Sequence, residues 1–160
     1  MSLPTRAQAT IDIAAEPTAI YDLVADVTRM GEWSPECVSC VWLTDERGRG
    51  ARFRGRNRRG TARWSTIAEV LVADRGQEFA FATLRRNRPA TRWTYRFDAI
   101  DGGTRMTESF EALYTPAVFD LVERLFIRDR QRQLEDGIER TLAAIKAAAE
   151  VRQRGTPTVK

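Results

Sequence analysis

From Pro116 to about Arg152 the chain reads as one long amphipathic helix. Thr115 supplies a hydroxyl at the N-cap, and Pro116 a fixed φ at the first helical position. Apolar residues then recur at helical spacing: Phe119, Val122, Phe126, Leu134, Ile138, Leu142 and Ile145. Gly155 and Pro157 lie just past its end. Such a rod spans ~55 Å at 1.5 Å per residue. No short helix can bury its apolar stripe, so a broad sheet must, and the preceding residues hold seven strand-like segments. The expected architecture is α+β, an antiparallel sheet wrapped around the terminal helix.

The N-terminal part fits that frame. Residues 6–13 alternate, with Ala7, Ala9, Ile11 and Ile13 on one face. Pro17 opens a short helix with Ile20, Leu23 and Val24 inward, ending near Asp26. A second short helix over Val27–Glu32 leads to Trp33 and stops before Ser34-Pro35. Six more strands are expected at Cys37–Thr44, Ala51–Arg58, Ala62–Ala73, Gln77–Leu84, Thr91–Ile100 and Thr104–Leu113. Asn87-Arg88-Pro89 reads as a loop, and the short connections imply a meander. One domain over 1–152 is expected, with 153–160 as a disordered tail.

Strand parity sorts the side chains into two faces. Phe53, Gly55 and Asn57 share one face with Trp64, Thr66, Ala68 and Val70. Phe79, Phe81, Trp93, Tyr95, Phe97, Met106, Glu108 and Phe110 continue it. Arg52, Arg54, Arg56 and Arg58 occupy the other. The aromatic face must be covered, and the terminal helix is the element long enough to cover it.

Composition narrows the chemistry. The 160 residues are 42% hydrophobic and 30% charged, with a net charge of +4 and no histidine. The missing histidine excludes Ser-His-Asp and Cys-His catalysis and histidine-ligated metals. Proton transfer then falls to carboxylate, tyrosine, lysine or thiol. The only cysteines, Cys37 and Cys40, are too few for a structural zinc site. A thioredoxin-type motif needs a helix N-terminus, which Ser39-Cys40-Val41-Trp42 does not offer. Two reduced, partly buried thiols are expected, with no metal and no cofactor. No membrane span and no basic-then-apolar leader pattern is present, which predicts a cytoplasmic protein.

The order strand, helix pair, six-strand meander, long helix resembles the START-like (SRPBCC, helix-grip) superfamily, whose type is the birch-pollen allergen. The resemblance is to its polyketide cyclase/dehydrase and lipid-transport-like branch. It rests on Ile13-Ala14-Ala15-Glu16-Pro17, Leu23 to Trp33-Ser34-Pro35, Gly50-Ala51-Arg52-Phe53 and Thr91-Arg92-Trp93-Thr94-Tyr95-Arg96-Phe97. Gly103-Thr104-Arg105-Met106-Thr107-Glu108 and Thr141-Leu142-Ala143-Ala144-Ile145-Lys146 complete it, so it spans nearly the whole chain. It implies a cavity between sheet and helix that holds an apolar or amphipathic small molecule. The superfamily includes carriers, receptors and cyclases, so the resemblance does not choose among activities.

The residues keep three alternatives open. Trp33, Phe53, Trp64, Phe81, Trp93, Tyr95, Phe110 and Phe126 form either a packed core or the wall of a ligand cavity. Between Phe126 and Leu134 the helix is largely polar all round, and Gly137, beside Ile138, either makes room for a ligand or allows close contact with the sheet. Glu108, inward between Met106 and Phe110, is either paired to an arginine or a general base. In the second case Tyr95 or Asn57 would hold the developing enolate. The arginine-rich hairpin (Arg47 to Arg63) reads as a solvated face with Glu69, Asp98 and Glu111 interleaved. Nucleic acid or anionic head groups are its lesser reading. The expected partner is therefore a hydrophobic small molecule, not nucleic acid, and the chain a monomer or homodimer.

Overall fold

The computed structural model describes residues 6–113 and 127–155. Strands β1 (Arg6–Ile13), β2 (Cys37–Trp42), β3 (Arg52–Arg59), β4 (Ala62–Asp74), β5 (Glu78–Arg85), β6 (Arg88–Ile100) and β7 (Gly103–Ala112) form one antiparallel sheet. Its order is β1-β7-β6-β5-β4-β3-β2. Helix α1 (Pro17–Ala25) and a 3-10 helix (Val27–Glu32) connect the two edge strands, and α2 (Ile127–Arg154) is the long terminal helix. This is the helix-grip arrangement.

Local chemistry accounts for most boundaries. Pro17 stands in the first turn of α1, where a missing N–H costs nothing. Asp26 accepts the backbone N–H of Thr28 and so caps the 3-10 helix. Gly103 approaches the Ile13 carbonyl so closely that a Cβ there would lie 2.0 Å from its oxygen, and only glycine fits. The expected helix start at Thr115-Pro116, and Phe119, Val122 and Phe126 with it, lie outside the described residues. At the other end α2 runs on through Gln153 and Arg154, which were expected in the tail. Gly155 closes it by donating to the carbonyls of Val151 and Arg152.

One expected loop is a tight turn instead. β6 begins at Arg88, and Arg86 and Asn87 form the hairpin with φ of 50° and 63°. Two successive positive φ angles give the mirror-image turn that matches strand twist, and asparagine tolerates that conformation. Pro89 is accommodated in β6 because the β5–β6 register slips beside it, between Thr83 and Leu84.

The core lies between the inner sheet face, α1 and α2. Ile20, Leu23 and Val24 of α1 are buried, as are Ile138, Leu142, Ile145 and Ala149 of α2. Tyr21 packs edge-on against Phe79 and Phe97, at centroid distances of 6.1 and 5.8 Å. Polar ties fasten α2 to the end of β1. Lys146 donates to the Asp12 carbonyl at 2.6 Å, and the Ala14 N–H donates to Glu150 at 3.1 Å.

The outer face carries the arginines. Arg54 and Arg56 are exposed there, while Arg52 pairs with Glu69 at 2.8 Å and Arg6 with Glu111 at 2.8 Å; Arg58, expected on this face, instead reaches the cavity rim from the end of β3. Asp98 stands opposite Arg105 in the β6–β7 register, and Arg105 is bonded to Asp12 at 2.9 Å. Such exposed pairs are individually worth little. No helix among the described residues is long and apolar enough to cross a membrane.

Candidate functional site

Between the inner sheet face and the first half of α2 lies an open cavity of about 860 Å³. Strand parity explains its wall. Phe53 and Asn57 of β3 stand beside Ala68 and Trp64 of β4, and Phe81 of β5 beside Trp93 of β6. Tyr95 of β6 then faces Glu108 of β7, and Trp93 faces Phe110. All of these line the cavity, so the large inward side chains surround a space rather than fill it. The rings contact one another at its edge: Phe53 and Phe81 are 5.2 Å apart, Trp93 and Phe110 4.9 Å.

From α2 the lining comes from Gln133, Leu134, Asp136, Gly137, Ile138, Arg140 and Thr141. Leu134 and Ile138 carry the apolar stripe through this lining. A Cβ on Gly137 would lie 3.6 Å from Pro35 Cγ. The neighbour that Gly137 meets is thus the loop before β2 and not the sheet. Thr141 turns its hydroxyl back to the Gly137 carbonyl at 2.9 Å.

Trp33 stands apart from the other aromatics. It is only 5% exposed but belongs to the packed core, with Arg29 stacked over its ring at 5.4 Å, and it does not line the cavity. Its position at the C-cap of the 3-10 helix points it into that packing. Trp64 stands at the opposite extreme, 38% exposed near the mouth. Phe126 lies outside the described residues.

The cavity's polar end is built on Glu108, which is 2% exposed. Its partner is not an arginine. The Tyr95 hydroxyl, from the paired position on β6, donates to it. Among the described residues Glu108 Oε2 has no hydrogen-bond partner. Burial pushes the carboxyl up to about 8, and the bond from Tyr95 opposes that rise in part. Burial, and then the charge of Glu108, hold the Tyr95 hydroxyl well above its usual range. At neutral pH this end therefore presents a carboxylic acid beside a neutral phenol. Asn57, whose amide donates to Thr66 at 3.3 Å, lies farther along the same wall.

Sequence reasoning did not place other polar groups in this wall. Thr83 and Thr91 face each other across β5–β6 and share a hydrogen bond. Both cysteines line the cavity, and both are buried rather than partly buried. Arg58, Arg85, Arg140, Glu36 and Asp136 give it a charged rim. The inward parity of Thr66 was legible; the arrival of Thr141 and the rim charges from separate elements was not. Among the described residues no cluster of three or more cysteine or carboxylate side chains could hold a metal ion.

Comparison with known proteins agrees with this geometry. A family model described as polyketide cyclase / dehydrase and lipid transport matches residues 4–150. The solution structure of a polyketide-cyclase-like protein from Corynebacterium glutamicum is 33% identical, covers 98% of both chains and superposes with a TM-score of 0.66. The Zhui aromatase/cyclase from a Streptomyces species is 18% identical over 96% of this chain and 98% of its own, with a TM-score of 0.72. The di-domain ARO/CYC StfQ of the steffimycin biosynthetic pathway is 14% identical over 94% of this chain and 52% of its own, with a TM-score of 0.75. At those identities the last two speak for the fold alone. No curated protein matches the sequence.

Proposed function

Because this chain belongs to the polyketide cyclase/dehydrase and lipid transport family, we propose that it takes up an apolar or amphipathic small molecule (a lipid, a polyketide or an aromatic) between its sheet and terminal helix. The observation that carries this reading is the 860 Å³ cavity with aromatic walls and one buried acid. Its size falls within the range of small-molecule sites, which are mostly apolar with a few placed polar groups. Phe53, Phe81, Trp93 and Phe110 supply the apolar walls. Glu108, Tyr95 and Asn57 supply the hydrogen bonds that would orient a carbonyl or hydroxyl.

Trp93 is the residue to test, since it is half-buried, in contact with Phe110 and on the cavity wall. The Trp93→Ala protein should bind anilinonaphthalene sulfonate roughly tenfold more weakly, the cost of one lost aromatic contact of ~1.4 kcal/mol. Fluorescence titration reads this, with circular dichroism as the control for folding. Unchanged affinity in a folded variant would remove the cavity from the account.

A second reading, an aromatase/cyclase-type reaction, is favoured by Glu108 specifically. An acid held near neutrality inside a cavity is poised to give and take a proton. In that reading Glu108 acts on the substrate, and the phenol of Tyr95 stabilises a developing enolate. With a poly-β-ketone analogue, Glu108→Gln should abolish cyclisation and leave analogue binding within twofold, as ~0.4 kcal/mol or less. Cyclisation at the unchanged rate would leave binding as the whole function.

A further inference from the structure

We propose that Cys37 and Cys40 form a reversible dithiol–disulfide site in the cavity wall, oxidised by small peroxides that enter the cavity. Two thiols three positions apart on a regular strand face opposite sides of the sheet. Here they do not. β2 bulges between Cys37 and Ser39, so that Cys37 pairs with Asn57, Ser39 with Arg56 and Cys40 with Gly55. The extra residue, Val38, is pushed outward and is 60% exposed. The bulge thereby re-aims one thiol and brings both to the inner face.

The two sulfurs lie 3.4 Å apart, in van der Waals contact and unbonded. They need close by only ~1.4 Å to reach the length of a disulfide bond. Room for Cys40 comes from Gly55 across the ladder, where a Cβ would stand 3.5 Å from the sulfur. Met30 Sδ, at 3.9 Å from Cys40, completes a sulfur-lined patch of the wall. Both thiols are shielded from bulk solvent, at 7% and 5% exposure, yet border the cavity. Reagents small enough to enter can reach them, whereas protein thiols of other chains cannot.

The pair is also asymmetric. The contact between the sulfurs lowers the Cys37 thiol and raises that of Cys40; the Cys37 sulfur also accepts from the Ser39 backbone N–H, while the Cys40 S–H is placed to donate to Met30 Sδ at 3.9 Å. Cys37 is thus the attacking thiolate and Cys40 the resolving thiol. In the first step Cys37 sulfur attacks one oxygen of hydrogen peroxide. The S–O bond forms, the O–O bond breaks, and hydroxide leaves and is protonated to water. Cys40 sulfur then attacks the Cys37 sulfenic acid; the S–S bond forms, the S–O bond breaks, and the departing hydroxide takes the Cys40 proton as a second water. Two thiols lose two electrons and two protons, and the peroxide is reduced to two waters.

The sequence makes the test clean, because both cysteines fall in one tryptic peptide, Met30 to Arg47, and the chain has no others. Reduced whole protein treated with hydrogen peroxide should lose two hydrogens per chain and yield that peptide internally linked, with dithiothreitol restoring the original mass. A covalent dimer, added oxygens without loss of hydrogen, or an unchanged mass would each overturn the proposal. The single variants report the order of attack. Under peroxide, Cys40→Ser should be trapped by dimedone at Cys37 at least about tenfold more than Cys37→Ser is at Cys40. Equal labelling would overturn the assignment of Cys37 as the attacking thiol.

Discussion

Replacing Glu108 with glutamine is expected to make the protein more stable in alkaline solution, by roughly 5 kcal/mol above pH ~8, and to change little below pH ~4. The folded chain holds the Glu108 proton up to about 8, whereas an unfolded glutamate releases it near ~4.3. Between those two values the folded state binds more protons than the unfolded state. Stability contributed by the neutral acid is therefore complete below ~4.3, falls as pH rises through the window, and stays lost above it. Glutamine carries no proton to lose, keeps an oxygen for the Tyr95 hydroxyl and has nearly the same shape. The carboxylates held low by hydrogen bonds, Asp12, Asp22 and Glu32 from arginines and Glu150 first from the Ala14 backbone N–H, act in the opposite direction at acid pH. They are common to both proteins and cancel in the difference. Urea unfolding at a series of pH values gives that difference directly. Parallel stability curves from pH ~5 to ~9 would mean that Glu108 is not desolvated as described.

Phe79→Ala should cost about 4 kcal/mol, the range for a large aromatic removed from a closed core. Phe79 is 1% exposed, lies edge-on to Tyr21 and tilts against Phe81 at 6.2 Å, and it does not line the cavity. Its loss leaves a void beneath α1 with no ready neighbour to refill it. Trp93, larger but half-buried and beside space that already exists, should cost less stability when truncated, about 1–2 kcal/mol. The two variants thus separate packing from lining: Phe79→Ala loses the most stability and binds the fluorescent probe normally, whereas Trp93→Ala loses less stability and binds the probe about tenfold more weakly. A Phe79→Ala protein destabilised by less than ~1 kcal/mol would contradict the seating of α1 on β5 and β6.

Which parts of this molecule could be read in advance follows from how local their causes are. β1 and the 3-10 helix fall where alternation and the Ser34-Pro35 stop place them, and the inward parity of Phe53, Phe81, Tyr95 and Glu108 holds in three dimensions. Period-two patterning is a property of each strand alone, so it survives without knowledge of partners. Features set by two elements at once were not legible. The bulge in β2 reverses parity within four residues, and no residue type in Cys37-Val38-Ser39-Cys40 announces it. The partner of Glu108 depends on the β6–β7 register, which puts Tyr95 opposite and leaves Arg92, Arg96 and Arg105 on the far face. Trp33 has the same composition-level signature as Trp93, and only the packing of the 3-10 helix separates them. The turn at Arg86-Asn87 was obscured by Pro89, which signals a break but sits at a register slip within the strand.

The sheet order has a temporal consequence. β1 pairs with β7, so that Arg6 reaches Glu111 across 105 positions of chain, and the same strand end receives Lys146 and Glu150 from the terminal helix. During synthesis β1 has no sheet partner until the chain through β7, some 105 positions beyond Arg6, has left the ribosome. The meander from β2 to β7 can zip by neighbouring hairpins well before then. Closure of the sheet thus waits on the pairing of β1 with β7, which is a slow, long-range event of high contact order.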